Sequence, residues 1–272
     1  MYTFLPVEEC TNLQTTSSQA MEKFRKCRRE KNVLVCPSDS IPRIYHSFME
    51  NKDKSQRPCI IKGILNKTPL MKNMKRDPNH WDYLGKQFHD ENLPVYVISQ
   101  REFHATPEYA KKIELGSKWL FDQHKHHTAI GQNPNIPKQV MTSLDIPSLP
   151  RYLHNKSWSW WANNKEQNSG LHYDTNNGGY LGVLTGQKKA LLMPPGDIKH
   201  LPMKSMNSNR SSIFAWEHIK ENKFHPSLSK TTMYEATIQP GDILYIPHKW
   251  FHEIESSPKT VGISGWNIGN GA

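Results

Sequence analysis

The chain has 272 residues, a formal net charge of +10 and an aromatic content of 10%, with eight Trp. This length can bury a core within one domain, and the aromatic content excludes global disorder, which goes with few aromatics. No uninterrupted apolar run approaches membrane-spanning length. The opening Met1-Tyr2-Thr3-Phe4-Leu5-Pro6 has no basic region followed by an apolar stretch, so no secretory signal is expected. The expected location is intracellular, in cytoplasm and/or nucleus, with no membrane partner.

The excess charge is spread along the chain, +3 in residues 1–60, +3 in 61–130 and +4 in 131–272, so it marks no single nucleic-acid face. Cys10, Cys27, Cys36 and Cys59 show no C-x-x-C spacing, which argues against a zinc finger or redox motif and for free thiols. Residues 1–18, polar and rich in Thr and Ser, read as a loose arm. Over 19–31, Ala20, Met21, Phe24 and Cys27 fall at helical spacing. That helix carries the basic run Lys23-Phe24-Arg25-Lys26-Cys27-Arg28-Arg29-Glu30-Lys31, a solvated face in the first instance and an acidic-partner or nucleic-acid contact in the second. A domain boundary is placed after residue 36, with the main domain at 37–272.

A small strand is expected at 33–36, a helix at 41–50, and a buried strand ending in a turn at 59–65. Asp77-Pro78 reads as a helix start, a capping Asp followed by Pro at the first helical position, for a helix carrying Trp81, Leu84, Gly85 and Phe88. A β run follows at 94–99, and Thr106-Pro107-Glu108 repeats the helix-start chemistry. His124-Lys125-His126-His127 has no carboxylate or Cys at ligand spacing and reads as a solvated loop. The Pro-containing stretch 131–156 reads as connection rather than core. From Trp158 the texture changes to short β runs separated by turns, at 158–163, 170–174, 179–184, 188–193, 232–238, 243–246, 250–255 and 260–267. Such spacing predicts a sandwich or barrel, with 207–230 as a polar insertion. No internal repeat and no Gly-rich phosphate loop is present.

Two segments carry the chemistry. His172-Tyr173-Asp174 places a His and an Asp two residues apart, on one face if the segment is a strand. The second segment, Pro240-Gly241-Asp242-Ile243-Leu244-Tyr245-Ile246-Pro247-His248-Lys249-Trp250-Phe251-His252, supplies another imidazole. Two His and one carboxylate are the ligand set of a mononuclear non-haem iron centre with open positions, where a closed tetrahedral structural site has none. On the strand at 188–193, Lys188, Ala190 and Leu192 alternate on one face, setting a cation in an apolar wall, while Lys189 points outward. A buried cation needs a partner charge.

These motifs carry a resemblance. The segment from Trp158 to Asn267 resembles the JmjC, cupin-type 2-oxoglutarate dioxygenases, nearest to small JmjC-only hydroxylases of the kind that act on asparagine. The quoted pattern is His172-x-Asp174, Gly186-x-Lys188, Pro194-Pro195 and Gly241-Asp242 through His252. Arg57-Pro58-Cys59-Ile60-Ile61-Lys62-Gly63 resembles an early strand of the same family. The resemblance implies a mainly β fold, a double-stranded β-helix (jelly-roll) barrel with its core at about 158–268, N-terminal strands extending one sheet, and N-terminal and flanking helices. It implies that His172, Asp174 and His252 hold Fe(II), and that Lys188 pairs with the distal carboxylate of 2-oxoglutarate. Asn267 and Ser169 match polar positions near that co-substrate. Asn177 has a polar role in the same place, and Trp161 lines the pocket. The loop Thr175-Asn176-Asn177-Gly178-Gly179-Tyr180 is one residue longer than the family pattern, which alters the substrate entrance.

The function so implied is a dioxygenase that uses Fe(II), O2 and 2-oxoglutarate, forms succinate and CO2, and hydroxylates a protein or peptide side chain. Lysine demethylation and RNA hydroxylation are its alternatives within the same chemistry. A non-enzymatic cupin-like binding protein is the alternative from another class, since fold alone does not establish function. The chain runs only to residue 272, so dimerisation through C-terminal helices after the barrel is not expected.

Overall fold

The computed structural model describes residues 57–77, 79–87, 138–145, 156–175, 178–221 and 225–267, together with strands at 4–6, 92–97, 111–116 and 128–132. Its strands are β1 (Phe4–Pro6), β2 (Cys59–Ile61), β3 (Asn92–Val97), β4 (Lys111–Gly116), β5 (Thr128–Gln132), β6 (Lys156–Asn163) and β7 (Gln167–Asn168). They continue with β8 (Gly179–Thr185), β9 (Lys188–Met193), β10 (Met233–Ile238), β11 (Ile243–Ile246), β12 (Phe251–Ser256) and β13 (Thr260–Asn267). Among the described residues four α-helices accompany them: α1 (Pro69–Met74), α2 (His80–Gln87), α3 (Lys138–Leu144) and α4 (Ala215–Lys220). None of the described helices is long and apolar enough to cross a membrane.

The strands form a five-stranded sheet in the order β1-β10-β9-β12-β7 and an eight-stranded sheet in the order β2-β11-β8-β13-β6-β5-β3-β4. From β6 onward the chain passes from one sheet to the other after β6, β7, β8, β10, β11 and β12, which makes the pair a double-stranded β-helix. The early strands β2 to β5 extend the larger sheet, as the sequence leads one to expect. Phe4–Pro6, inside the segment read as an arm, pairs in parallel with β10 through Phe4↔Met233.

Three apolar clusters explain the strand composition. Between the sheets lie Ile60, Val183, Leu192, Ile238 and Leu244. On the outer face of the larger sheet, Trp158, Trp160 and Ile263 pack against Met74, Leu84, Val140 and Leu144. On the outer face of the smaller sheet, Leu191, Met193 and Phe251 are covered by Ala215, Trp216 and Leu228. Strands covered on both faces lose their polar alternation. All seven residues of β8 are buried, and in β9 only Lys189 is exposed.

Several local expectations change. The strand expected at 59–65 stops at Ile61 and gives way to a turn and a 3-10 segment, Ile64–Lys67. There Gly63 N–H and Lys62 Nζ donate to Asp242 at 2.9 and 3.0 Å, and turning the chain onto that carboxylate ends the strand. Helix α1 was not expected; Thr68 caps it, accepting from Met71 N–H at 3.3 Å, with Pro69 at its first position. Helix α2 is capped by Asn79, which accepts from Asp82 N–H at 3.3 Å, whereas Asp77 accepts from Asn79 N–H at 2.9 Å. The stretch 131–156 is not simply connection, because α3 buries Val140 and Leu144 in the outer core. The polar insertion likewise contains α4 and contributes buried Trp216 and Leu228. The segments 19–31, 33–36 and 41–50, Thr106-Pro107 and His124 to His127 lie outside the described residues.

The passage from β8 to β9 turns at Gly186, whose φ is +73° and where an added Cβ would sit 2.1 Å from Thr260 Oγ1 and 2.7 Å from Thr260 Cα. Both the dihedral and the contact require glycine. Gly186→Ala is expected to lower stability by about 3 kcal/mol, measured as a drop in the urea midpoint at unchanged m-value.

Candidate metal centre

Two backbone segments meet at one antiparallel bridge. His172 N–H donates to His252 O at 3.0 Å and His252 N–H donates to His172 O at 2.7 Å. Directly opposite residues project side chains to the same face, and the two imidazole centroids are 4.4 Å apart. Each ring is fixed by the carbonyl two residues before it: His172 Nδ1 to Gly170 O at 2.8 Å and His252 Nδ1 to Trp250 O at 3.0 Å. A carbonyl only accepts, so both Nδ1 atoms carry the proton and both Nε2 lone pairs are left for a ligand.

Both Nε2 atoms face Asp174. His172 Nε2 lies 3.9 Å from Oδ1 and His252 Nε2 lies 3.9 Å from Oδ2. The three ligand atoms lie within 4.8 Å of one another, and both Nε2–carboxylate separations, 3.9 Å, are inside the ~4.2 Å that an ion with bonds of about 2.1 Å spans between two ligands. Burial holds the His172 imidazole well below its ordinary 6.5, at about 3; His252 and Arg210 push the same way, and Asp174 and the Gly170 bond oppose them. A neutral imidazole is the form that binds a metal. The donor set and its spacing thus fit a divalent ion such as iron.

The expected strand at 170–174 is not formed, and i/i+2 alternation is not what aims Asp174. The strand here is β7, which ends at Asn168, and His172 forms an isolated bridge. Tyr173 is clipped to the insertion instead, its N–H donating to Asn209 O at 3.0 Å and its carbonyl accepting from Asn209 Nδ2 at 2.7 Å. Its ring meets Phe251 edge-on, with centroids 5.0 Å apart.

Lys188 points between the sheets and is 5% exposed. Its Nζ donates to Ser256 Oγ at 2.7 Å. Among the described residues no carboxylate lies within ion-pair distance of it. Burial lowers its pKa from 10.5 to about 8. Its stem crosses Gly262 of the opposite sheet, where an added Cβ would lie 2.8 Å from Lys188 Cε. Ser256 is four residues beyond His252 on β12, ~13 Å along the strand. An ammonium inside the barrel, on the same strand-facing side as the ion-binding cluster, fits one carboxylate of a dianion such as 2-oxoglutarate. Trp161 lies opposite Gly262 on β6 and is partly buried. Trp158 and Trp160 belong to the outer core, and alternation puts Trp161 on the barrel side.

The remaining expected residues fare differently. Ser169 Oγ accepts from Ile254 N–H at 2.9 Å and donates to Gly170 O at 3.2 Å. With its proton so directed, the hydroxyl serves strand pairing rather than the co-substrate. Asn267 pairs with Lys156 at the end of β13, and Asn177 lies outside the described residues.

Sequence reasoning missed three groups. Ser256 was findable, being on the same strand face as His252. Arg210, inside the presumed polar insertion, forms a bridge with His172 on the side opposite His252, so it shares the face of the ligands. Burial lowers its pKa, Asp174 raises it, and its buried Nη1 has no hydrogen-bond partner among the described residues. Glu253, next to His252, is fully buried on the outer face of β12. Burial raises its pKa from 4.5 to about 7 against the pull of donors from Asn168, Ala215 and Trp216.

A β-helix barrel with a His/Asp/His cluster inside it is the architecture of cupin-type metal sites. Comparison with known proteins agrees: a family model described as a cupin-like domain matches residues 45–268. The chain belongs to this cupin-like, JmjC family. Over 192 residues it is 33% identical to human tRNA wybutosine-synthesizing protein 5, covering 67% of this chain and 57% of that protein. It is 32% identical over 189 residues to Jumonji C domain-containing protein 5 of Drosophila melanogaster, covering 68% of this chain and 44% of that protein. It is also 32% identical over 131 residues to lysine-specific demethylase JMJ31 of Arabidopsis thaliana, covering 47% and 23%. The chain thus spans between about a quarter and just over half of these three curated relatives. The X-ray structure of E. coli ycfD aligns over 83% of this chain and 53% of its own, with a TM-score of 0.49 and 16% identity.

The Lys188 ammonium, which has no carboxylate beside it among the described residues, gives a test. Its folded pKa lies below its unfolded value, so the unfolded chain binds more protons between about pH 8 and 10.5, and stability gains as pH rises through that window. Lys188→Met, which removes the buried charge, is expected to raise the melting temperature of the ligand-free protein at pH 7. The advantage should shrink as pH climbs past 8, as followed by calorimetry.

Proposed function

We propose that the chain is an Fe(II)- and 2-oxoglutarate-dependent oxygenase that hydroxylates a protein side chain inside the cell, in cytoplasm and/or nucleus. The observation that carries this reading is the pairing of the ion-binding cluster with a buried ammonium that has no counter-charge among the described residues, in one barrel interior. His172, Asp174 and His252 would hold iron, leaving positions for a chelating acid and dioxygen. Lys188 and Ser256 would receive the distal carboxylate, with Trp161 as a wall and Asn267 and Asn177 as further polar groups near the co-substrate. Iron bound there would supply the oxidative decarboxylation of 2-oxoglutarate by O2 to succinate and CO2, with one oxygen atom delivered to a substrate C–H bond. The residues' part is to chelate, to orient and to exclude water. Arg210, on the ligand face with a buried nitrogen unengaged, would meet an acceptor group on the substrate.

A second reading, hydroxylation of a nucleoside in RNA, is favoured by the long match to the tRNA wybutosine-synthesizing relative and is compatible with the charge of +10. Charge favours association without deciding the reaction.

Anaerobic absorption spectroscopy tests the common chemistry. Metal-stripped protein given Fe(II) and then 2-oxoglutarate should develop a visible metal-to-ligand charge-transfer band. Asp174→Ala should lose it, and Lys188→Ala should need roughly a hundredfold more 2-oxoglutarate. Folded, iron-bound protein without the band would overturn the assignment. Substrate class follows from which addition, peptide pools or total tRNA, raises succinate formation.

A further inference from the structure

Glu253 has no place in the ligand set, yet hydrogen bonds run from it to the opposite ligand. Along β12 side chains alternate, so His252 faces the barrel and Glu253 faces outward. Its Oε1 accepts from Asn168 Nδ2 at 2.7 Å. Asn168 Oδ1 accepts from Gly170 N–H at 2.7 Å, and Gly170 O accepts from His172 Nδ1–H at 2.8 Å. All three links point the same way, with each donor directed toward the carboxylate. Aligned links polarise one another, and a carboxylate behind a metal-binding imidazole fixes the ring and raises its basicity. Here the carboxylate acts from one side-chain amide and one peptide away.

The other carboxylate oxygen anchors the insertion. Ala215 N–H donates to Oε2 at 2.7 Å, Trp216 N–H to Oε1 at 3.4 Å, and Trp216 Nε1 to the Glu253 carbonyl at 3.3 Å. The same insertion carries Asn209, which clips Tyr173, and Arg210, which bridges to His172.

We propose that Glu253 is a positioning residue for the metal centre, setting the orientation and donor strength of His172 through Asn168 and Gly170 while it docks the insertion beside Asp174. This rests on the metal-binding reading above. His252 supplies an internal reference, since its Nδ1–H is held by Trp250 O.

The test uses full-length protein loaded with Co(II) and proton NMR of the paramagnetically shifted ring N–H signals, one from each His, assigned by nuclear Overhauser contacts. Asn168→Ala breaks the relay but leaves Glu253 its bonds to Ala215 and Trp216, so the insertion stays docked. In this variant and in Glu253→Ala, the His172 signal should shift, exchange with water about tenfold faster, and be accompanied by about tenfold weaker Co(II) binding. The His252 signal should stay in place. Glu253→Gln, which keeps one acceptor oxygen, should fall between wild type and Glu253→Ala. Lys220→Ala, which removes an exposed partner of Glu255, should change neither signal. An unchanged His172 signal in folded Asn168→Ala overturns the proposal, as do His172 and His252 signals that move together. If Glu253→Ala does not fold, Asn168→Ala decides. Folded wild-type protein that takes up no Co(II) overturns the metal-centre reading and this inference with it, a result distinct from cobalt bound with an insensitive His172.

Discussion

The reciprocal backbone bonds between His172 and His252 are the constraint on which the centre depends. They belong to a short ladder along β12. Asn168 pairs with Glu255, Ser169 then bonds the backbone of Ile254, and His172 meets His252. Between the last two contacts one chain advances three residues and the other two. The extra residue is a bulge, absorbed at Gly170 with φ of +68°, and bulges commonly re-aim side chains next to functional sites. Ser169 makes the irregularity tolerable because its hydroxyl takes up Ile254 N–H. With both imidazoles on one face, the remaining ligand has only to be brought over them, and the Asn209 clip on Tyr173 holds the segment that carries it.

Burial then gives the two ends of the interior different characters. At the histidine end, desolvation keeps imidazole neutral and its lone pair available. At the other end the same desolvation acts on an ammonium that no carboxylate among the described residues compensates. A lysine buried in this way is a cost to the free protein unless something else uses it. Gly262 shows that the backbone is shaped around it, for only a residue without Cβ lets the Lys188 stem pass between the sheets. Stability is conceded at this buried position, a recurrent pattern at functional sites.

The barrel was legible in the sequence from β6 onward, because short apolar runs punctuated by Gly and Pro give strand boundaries directly. The clustering of His172, Asp174 and His252 was legible from their residue types and spacing, although the strand expected under the first two is only an isolated bridge. Lys188 was legible as a charge out of phase with its neighbours. What failed shares one physical cause: the deciding contacts are long-range. The 3-10 turn after Ile61 exists because Asp242, 180 residues away, collects its N–H groups. Val140 and Leu144 lie in a Pro-punctuated stretch whose helix is stabilised by the outer core. Asp174 is aimed by Asn209, which local alternation cannot reveal. Nothing in the local sequence sets Arg210 or Glu253 apart; the fold half-buries the first and fully buries the second.

The jelly-roll crossings bear on how such a protein comes into being. Strands adjacent in sequence, such as β8 and β9, lie in different sheets, and β2 completes its sheet against β11. Closing loops of this size before their contacts reward the chain makes folding slow. The two histidines stand side by side only once β12 has docked, so no early fragment holds a finished ion site. A metal held by these residues would therefore not template the fold as zinc does in a zinc finger. It would be taken up by a chain that has already closed.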